Sequence, residues 1–113
     1  MRHMENKDRL LFFFEAENKR DWAAYRKSLS PDVVWVLHSS RQTKTIEGID
    51  AYLAAMMEAY RGNDNTFSCE ALYQSADGNR IAAILKNNLG EHSCDVFEFF
   101  GGLIIKEYEF ILA

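Results

Sequence analysis

The chain contains one proline, Pro31, and two cysteines, Cys69 and Cys94. Two cysteines without a Cys-x-x-Cys spacing exclude a disulfide-dense scaffold and a cysteine-based zinc module. A pair of reduced cysteines is typical of a cytoplasmic protein, which is the location that we expect.

Sequence motifs typical of catalytic, phosphate-binding or metal-binding sites are equally scarce. The sequence has no glycine-rich phosphate loop and no Gly-x-Ser-x-Gly nucleophile elbow. His38 stands alone in its segment, and His92 and Cys94 fall on the strand face opposite Asp95. Because zinc sites need three or four converging ligands, the sequence predicts no metal ion, and we expect no cofactor.

Charge and hydropathy exclude two further classes. The net charge of −4 and the scattered basic residues argue against nucleic-acid binding, which needs a basic surface stripe. The apolar runs fall far short of the ~20 residues of a membrane span, and no signal-peptide pattern is present. We therefore expect no nucleic-acid partner and no membrane association.

Aromatic residues, in contrast, are plentiful, with eight Phe, five Tyr and two Trp in 113 residues. This content suits either a deep pocket or an apolar oligomer face. The length fits one domain, residues 1–113, with a single core. The His3-Met4 pair is typical of a cloning remnant ahead of a native start at Met4, so residues 1–3 carry no weight.

The pattern of apolar residues predicts an α+β order of elements. Helical spacing indicates helices at residues 5–18, 21–29 and 48–61, the second capped by Asp21 and ended by Ser30-Pro31. β-branched and aromatic residues indicate a strand at 32–39 and a short edge strand at 43–47. After residue 65 the chain reads as a four-strand meander, and helices segregated from an antiparallel sheet define the α+β class.

The last two strands flank Gly101-Gly102, which predicts a hairpin with a tight turn. Asp95, Phe97 and Phe99 alternate along the first of these strands and therefore share one face. A carboxylate among aromatic rings on a buried face is unfavourable unless it is paired or used, so Asp95 is the first candidate site residue.

Five segments carry a resemblance to a known family: Asn18–Trp22, Ser30–Trp35, Ile46–Ile49, Asp77–Ala82 and Asp95–Gly102. In this order they resemble the nuclear transport factor 2-like superfamily, and within it the SnoaL-like and ketosteroid isomerase-like branches. The resemblance implies a cone-shaped, curved antiparallel sheet packed on three N-terminal helices, as in cystatin-like folds, with a pocket inside. It also implies a homodimer formed through the outer face of the sheet.

The resemblance also maps catalytic roles onto this chain. A ketosteroid isomerase-like site needs a general base and two donors for an oxyanion. The position of the base falls on Leu37 and that of the helix-one tyrosine on Phe13, neither of which serves; Asp95 matches the protonated acid. A shift of one residue places His38 at the base position, which makes it the weaker catalytic candidate. Asp95 also resembles the acid–base carboxylate of SnoaL-like cyclases.

Strand and helix parity complete the predicted pocket. Its expected lining residues are Phe13, Trp35, Leu37, Met56, Tyr60, Ile84, Lys86, Phe97, Tyr108 and Phe110. By the same parity, Glu107 and Glu109 are expected on a partly exposed outer face, which is the candidate dimer surface.

Three functions fit these observations. The first is a homodimeric protein that binds a small apolar or aromatic molecule in the pocket. The second is a SnoaL-like isomerase, cyclase or hydrolase that uses Asp95 as its acid or base. The third is a protein-interaction module that docks through the sheet face. The missing base at Leu37 lowers the second, and fold alone decides none of them.

Overall fold

The computed structural model describes residues 4–112, so the part of the predicted cloning remnant at residues 1–3 lies outside the described residues. The elements in chain order are α1 (Asn6–Lys19), α2 (Trp22–Lys27), β1 (Leu29–His38), β2 (Thr43–Glu47), α3 (Ile49–Ala59), β3 (Phe67–Gln74), β4 (Arg80–Asn87), β5 (His92–Phe100) and β6 (Leu103–Leu112). The predicted α+β order is confirmed. Across residues 4–112 no helix is long and apolar enough to cross a membrane.

The helices begin and end where local chemistry dictates. The Asp21 side chain caps α2 by accepting a hydrogen bond from the Ala24 N–H at 3.2 Å. Helix α1 ends at Arg20, whose φ of 59° is left-handed, as at many helix C-termini. Helix α2 stops at Lys27 and not at Leu29, because the chain extends into β1 two residues before Pro31.

The sheet is mixed, with strand order β2-β1-β6-β5-β4-β3. Strand β1 pairs with β6 in parallel, whereas the other neighbours are antiparallel. The expected sheet was wholly antiparallel; the parallel pair arises because β6, at the end of the meander, returns beside β1. The curved sheet wraps around the helices, and the predicted architecture of three helices packed on one curved sheet is confirmed.

The β5–β6 hairpin turns at Gly101 and Gly102, whose φ angles are 60° and 81°. Two successive positive φ angles are those of a type I′ turn, which matches the twist of a hairpin. A Cβ at Gly102 would lie 2.9 Å from the Arg9 guanidinium, so the flexible Arg9 side chain would have to shift.

A β-bulge follows this turn and reverses the faces of β6. Phe99 pairs with Ile104 but Glu98 pairs with Lys106, so Ile105 has no partner on β5. Because strand side chains alternate, one extra residue transfers all later side chains to the opposite face. Ile104 and Glu107 are therefore both buried on the concave face.

The core lies between the helices and the concave face of the sheet and is mainly aromatic. The rings of Phe13 on α1 and Tyr25 on α2 stack with centroids 4.0 Å apart. Phe97 on β5 meets Phe13 edge to face at 6.1 Å. Each ring of this size contributes about 1.5–3 kcal/mol on burial, so these contacts hold the helices to the sheet beside the site.

Candidate functional site

A central cavity of about 280 Å³ lies between α1, α3 and the concave face of β1, β5 and β6. Seven of the residues proposed from the sequence line it: Phe13, Trp35, Leu37, Met56, Tyr60, Asp95 and Phe97. The cavity adjoins an outer cleft of about 830 Å³ and shares Glu17, Tyr60, Glu109 and Ile111 with it. The cleft volume lies within the roughly 300–1,000 Å³ of small-ligand sites, and the cavity volume lies just below that range.

Three carboxyl groups meet in the wall of the central cavity. Asp95 on β5 lies beside Glu107 and Glu109 on β6, with one oxygen of each within 4.8 Å of the others. Asp95 and Glu107 are each 4 % exposed, and Glu109 is partly buried. We call these three residues the acid cluster.

Hydroxyl groups orient two members of the acid cluster. Ser93 Oγ donates to Asp95 Oδ1 at 2.6 Å, and the Tyr52 hydroxyl donates to Glu107 Oε1. Asp95 and Glu107 also hydrogen-bond to each other, which requires a proton on one of them. The pair therefore has a fixed geometry.

Burial changes the protonation of the cluster. Loss of hydration raises the pKa of Asp95 from 3.8 to about 6. Burial, together with the negative charges of Asp95 and Glu17, raises the pKa of Glu109 from 4.5 to about 8. Burial and the neighbouring Asp95 also hold the pKa of Glu107 well above its ordinary value. Near neutral pH the acid cluster retains protons and holds both acid and base forms.

A fourth carboxyl group, Glu17 on α1, lies where the cavity meets the outer cleft. It accepts a hydrogen bond from the Tyr60 hydroxyl, and burial raises its pKa from 4.5 to about 7. The Arg20 guanidinium lies 3.8 Å from the centre of the Tyr60 ring and donates to the Asn65 carbonyl at 2.7 Å. Arg20 thus fixes Tyr60, and Tyr60 fixes Glu17, at the mouth of the cavity.

Trp35 presents the one buried side-chain nitrogen or oxygen without a hydrogen bond in the described part of the chain, its indole Nε1. The side chain is 7 % exposed and lines the cavity. Its N–H lies near the Glu109 carboxyl and favours the ionised form, but completes no hydrogen bond to it. A buried donor left in this state is unfavourable by about 1–3 kcal/mol.

Two of the expected lining residues on β4, Ile84 and Lys86, lie on the other face of the sheet. Ala83 pairs with Asp95 and is buried, as is Leu85, so the intervening side chains point away from the cavity. The predicted placement of both residues is wrong. Strand β4 is apolar at both parities, so alternation alone did not determine its inner face.

Tyr108 and Phe110 on β6 are also misplaced by the sequence prediction. The bulge at Ile105 turns them outward and brings Glu107 and Glu109 inward, the reverse of the expected arrangement. The sequence could not show an unpaired residue in a strand whose two faces are both partly apolar.

His38 lies on the outer face, which removes it as a catalytic candidate. Its ring stacks on Phe110 with centroids 4.8 Å apart, and its Nδ1 lies 3.1 Å from the Thr43 hydroxyl oxygen. Leu37 faces the cavity instead. The position of the base is therefore occupied by an apolar side chain, and the acids lie on β5 and β6.

Sequence reasoning missed Glu17, Tyr52, Glu107 and Glu109 as site residues. Glu17 follows Phe13 and Phe14 at helical spacing, which would have indicated the buried face of α1. Tyr52 lies four residues before Met56 on the same face of α3. For the glutamates of β6 no signal was available without the register of the sheet.

The acid cluster is also the set of residues that could hold a metal ion, since carboxylate oxygens suit hard cations. Two of its members already accept hydrogen bonds from Ser93 and Tyr52. Protons held on the cluster reduce its negative charge, so its geometry requires no metal ion.

The profile of the SnoaL-like domain matches residues 12–107. The chain belongs to the SnoaL-like domain family. No curated protein has a sequence significantly similar to this SnoaL-like chain. Solved structures are similar in fold at low identity. Bal32a from a soil-derived mobile gene cassette has a TM-score of 0.81 at 23% identity, over 92% of this chain and 86% of its own.

Two other similar structures extend the comparison. An NTF2-like protein of unknown function from Cytophaga hutchinsonii has a TM-score of 0.79 at 16% identity, covering 98% of this chain and 93% of its own. RV0760c from Mycobacterium tuberculosis, solved in complex with estradiol-17β-hemisuccinate, has a TM-score of 0.74 at 19% identity, covering 94% and 93%. At these identities the similarity shows the fold alone.

Proposed function

We propose that this SnoaL-like protein binds an apolar or aromatic small molecule in the central cavity. The observation that carries the proposal is a cavity walled by aromatic rings into which protonated and ionised carboxyl groups project. Titratable groups with shifted pKa values in an apolar cavity are typical of ligand and active sites. The steroid ester bound by the similar RV0760c supports a ligand of this class.

The proposal is tested with three ligands that share one bicyclic skeleton: neutral 2-tetralone, cationic 2-aminotetralin and anionic tetralin-2-carboxylate. Calorimetry should detect binding of at least one of them. Ala59 lines the cavity at the exposed end of α3, so Ala59→Phe narrows the opening and should weaken binding by about tenfold or more.

Ala54 provides the matched control, because it is exposed on the same helix and does not line the cavity. Ala54→Phe should bind the ligand as the wild type does. If none of the three compounds binds, or if both variants lose affinity equally, the cavity is not the binding site.

A second candidate function is proton transfer with Asp95 as the base and Glu109 as the acid. It is favoured because their pKa values, about 6 and about 8, lie on either side of neutrality. One group then accepts a proton while another donates. This is the enzymatic alternative, an isomerase, cyclase or hydrolase, with its acids on β5 and β6.

Uptake of deuterium from D₂O at the α-carbon of 2-tetralone measures such transfer directly. Asp95→Asn should lower the rate by about 10²–10⁴-fold, the usual contribution of a general acid or base. Asp32→Asn, at an exposed position of β1, is the control and should leave the rate unchanged. If 2-tetralone takes up deuterium no faster with the protein than in buffer alone, the protein binds the ligand without catalysing proton transfer.

A homodimer through the outer face of the sheet is also part of the proposal. One row of cross-strand neighbours on that face is apolar or aromatic across five strands: Val36, Tyr108, Val96, Ala82 and Tyr73. A contiguous surface of this kind supports a self-complementary contact.

A further inference from the structure

We propose that the natural occupant of the central cavity is an organic cation, with its ammonium group at the acid cluster and its apolar body against the aromatic walls. This inference rests on the proposed function and specifies the chemistry of the ligand. It departs from the neutral or carbonyl ligand that a pocket with a single acid would suggest.

The charges around the cavity favour a cation. Four carboxyl groups line it, from Glu17 on α1, Asp95 on β5 and the two glutamates of β6. Among the described residues, no Lys, Arg or His lines this cavity. Buried carboxylates are normally paired with a cation or hold protons. A bound ammonium group replaces these protons as the countercharge and donates hydrogen bonds to the same oxygens.

The walls favour an organic cation over a bare metal ion. The rings of Trp35 and Tyr52 lie 5.1 Å apart beside the cluster, and Phe97 lies on the neighbouring strand. Aromatic faces attract ammonium groups and also cover apolar carbon, whereas a small hydrated metal ion gains nothing from such walls. A cavity of about 280 Å³ has room for several carbon atoms beside the nitrogen.

The unpaired N–H of Trp35 is independent evidence that the hydrogen bonding in the cavity changes when a ligand binds. The Trp35 side chain is more than nine-tenths buried and lies beside Glu109, but its N–H completes no hydrogen bond with the described residues. Once a cation in the cavity displaces the proton of Glu109, both oxygens of the ionised carboxylate accept hydrogen bonds, and the group becomes a stronger acceptor for this N–H. Cation binding therefore strengthens the acceptor beside the unpaired donor.

The outer cleft, through which a ligand would reach the cavity, is also lined by acidic residues. Glu17 and Glu109 line both the cleft and the cavity, and Glu91 lines the cleft. The one basic side chain in the described cleft, His92, lies 3.1 Å from Glu70. Acidic walls raise the local concentration of a cationic ligand and repel an anionic one.

A proton balance follows from this arrangement. The ligand arrives as R–NH₃⁺, and Glu109 releases its proton to solvent as the ion pair forms; no covalent bond to carbon changes. Affinity should therefore rise with pH as the proton on Glu109 is lost, and calorimetry in buffers of different ionisation enthalpy should record the proton released. The facing groups that share this titration are Asp95, Glu107 and Glu17.

The three tetralin compounds test the inference separately from the function. At neutral pH, 2-aminotetralin should bind at least about tenfold more tightly than 2-tetralone, and tetralin-2-carboxylate more weakly than both. Equal or tighter binding of the ketone or the carboxylate overturns the cation assignment while the cavity remains a binding site. Failure of all three compounds overturns the proposed function itself.

A matched pair of variants locates the ammonium group. Glu109→Gln should weaken the binding of 2-aminotetralin by about tenfold or more. It should leave the affinity for 2-tetralone within about twofold, because only the cation is attracted by the negative charge. Glu47→Gln, exposed on β2, should change neither affinity. Equal loss for both ligands in Glu109→Gln indicates a packing effect and overturns the assignment. Competition by MnCl₂ alone at micromolar concentration likewise overturns it, in favour of a metal site.

Discussion

At the scale of single residues, this domain keeps carboxyl groups protonated near neutral pH by withdrawing them from water. Glu109 is the clearest case, because burial raises its pKa to about 8, whereas the pKa of Asp95 rises to about 6. In the unfolded chain both groups lose their protons near pH 4. Folding therefore takes up protons between these limits, and the stability of the domain depends on pH.

We expect the free energy of unfolding to fall as pH rises from about 4.5 to about 8. In this window the folded state binds more protons than the unfolded state, so the slope of stability against pH is negative. The stabilising contribution is complete below the unfolded pKa and is lost as pH passes the folded pKa. Urea unfolding at about pH 5 and about pH 8 measures the difference.

The variant Glu109→Gln removes one of these titrations. It should be more stable than the wild type at pH 8 by at least about 1.4 kcal/mol, the value of one pKa unit, and its pH slope should be shallower. Glu47→Gln should retain the wild-type slope. A wild-type stability that increases with pH across this window contradicts the protonation that we assign to the cluster.

At the scale of secondary structure, the bulge at Ile105 determines which side of β6 enters the cavity. Without it, Lys106, Tyr108 and Phe110 would follow Ile104 on the concave face. With it, that face receives Glu107 and Glu109. The chemistry of the cavity wall therefore depends on one unpaired residue and the strand register that follows it.

Deletion of Ile105 should severely destabilise the fold. It would bury the Lys106 ammonium group and expel Glu107 from its bond to Tyr52, so we expect a loss above about 4 kcal/mol. Ile105→Ala keeps the residue count, and because the side chain is exposed it should cost less than about 1 kcal/mol. Circular dichroism and urea unfolding distinguish them; a folded deletion variant of near-native stability contradicts the role of the bulge.

The sequence predicted the helices and strands, but it did not predict the register of β6 in the sheet. Helices and strands were found because their apolar periods are clear and because Asp21 and Gly101-Gly102 punctuate them. Asp95 was found because it alternates with Phe97 on a strand with one distinct inner face. The remaining acids were missed because the face of β6 depends on long-range pairing, which no local pattern records.

At the scale of the whole molecule, the sheet separates two surfaces of different character. The concave face carries the acid cluster, and the outer face carries the apolar row through Val96. Residues of that row, such as Val96 and Tyr108, are only partly buried within one chain. An apolar sheet face is stabilised when a second copy covers it and removes it from water. A stable interface of this kind buries about 800 Å² on each partner.

We therefore expect sedimentation to report a dimer for the wild type and a monomer for Val96→Lys. A lysine at the centre of the apolar row places two like charges close to the two-fold axis, where burial is unfavourable. Ala54→Lys adds the same charge on exposed α3 and should remain dimeric. A monomeric wild type contradicts the homodimer and leaves the outer face to a different protein partner.

The unpaired Ile105 also bears on how genes for such domains diverge. A point mutation alters one side chain, whereas gain or loss of a single codon in β6 exchanges the whole set of residues presented to the ligand. The same nucleotides downstream then encode either an acidic or an aromatic wall. Because loss of Ile105 alone should unfold the domain, such an exchange of the cavity wall also requires substitutions that adapt Lys106 and the surrounding core to the new register.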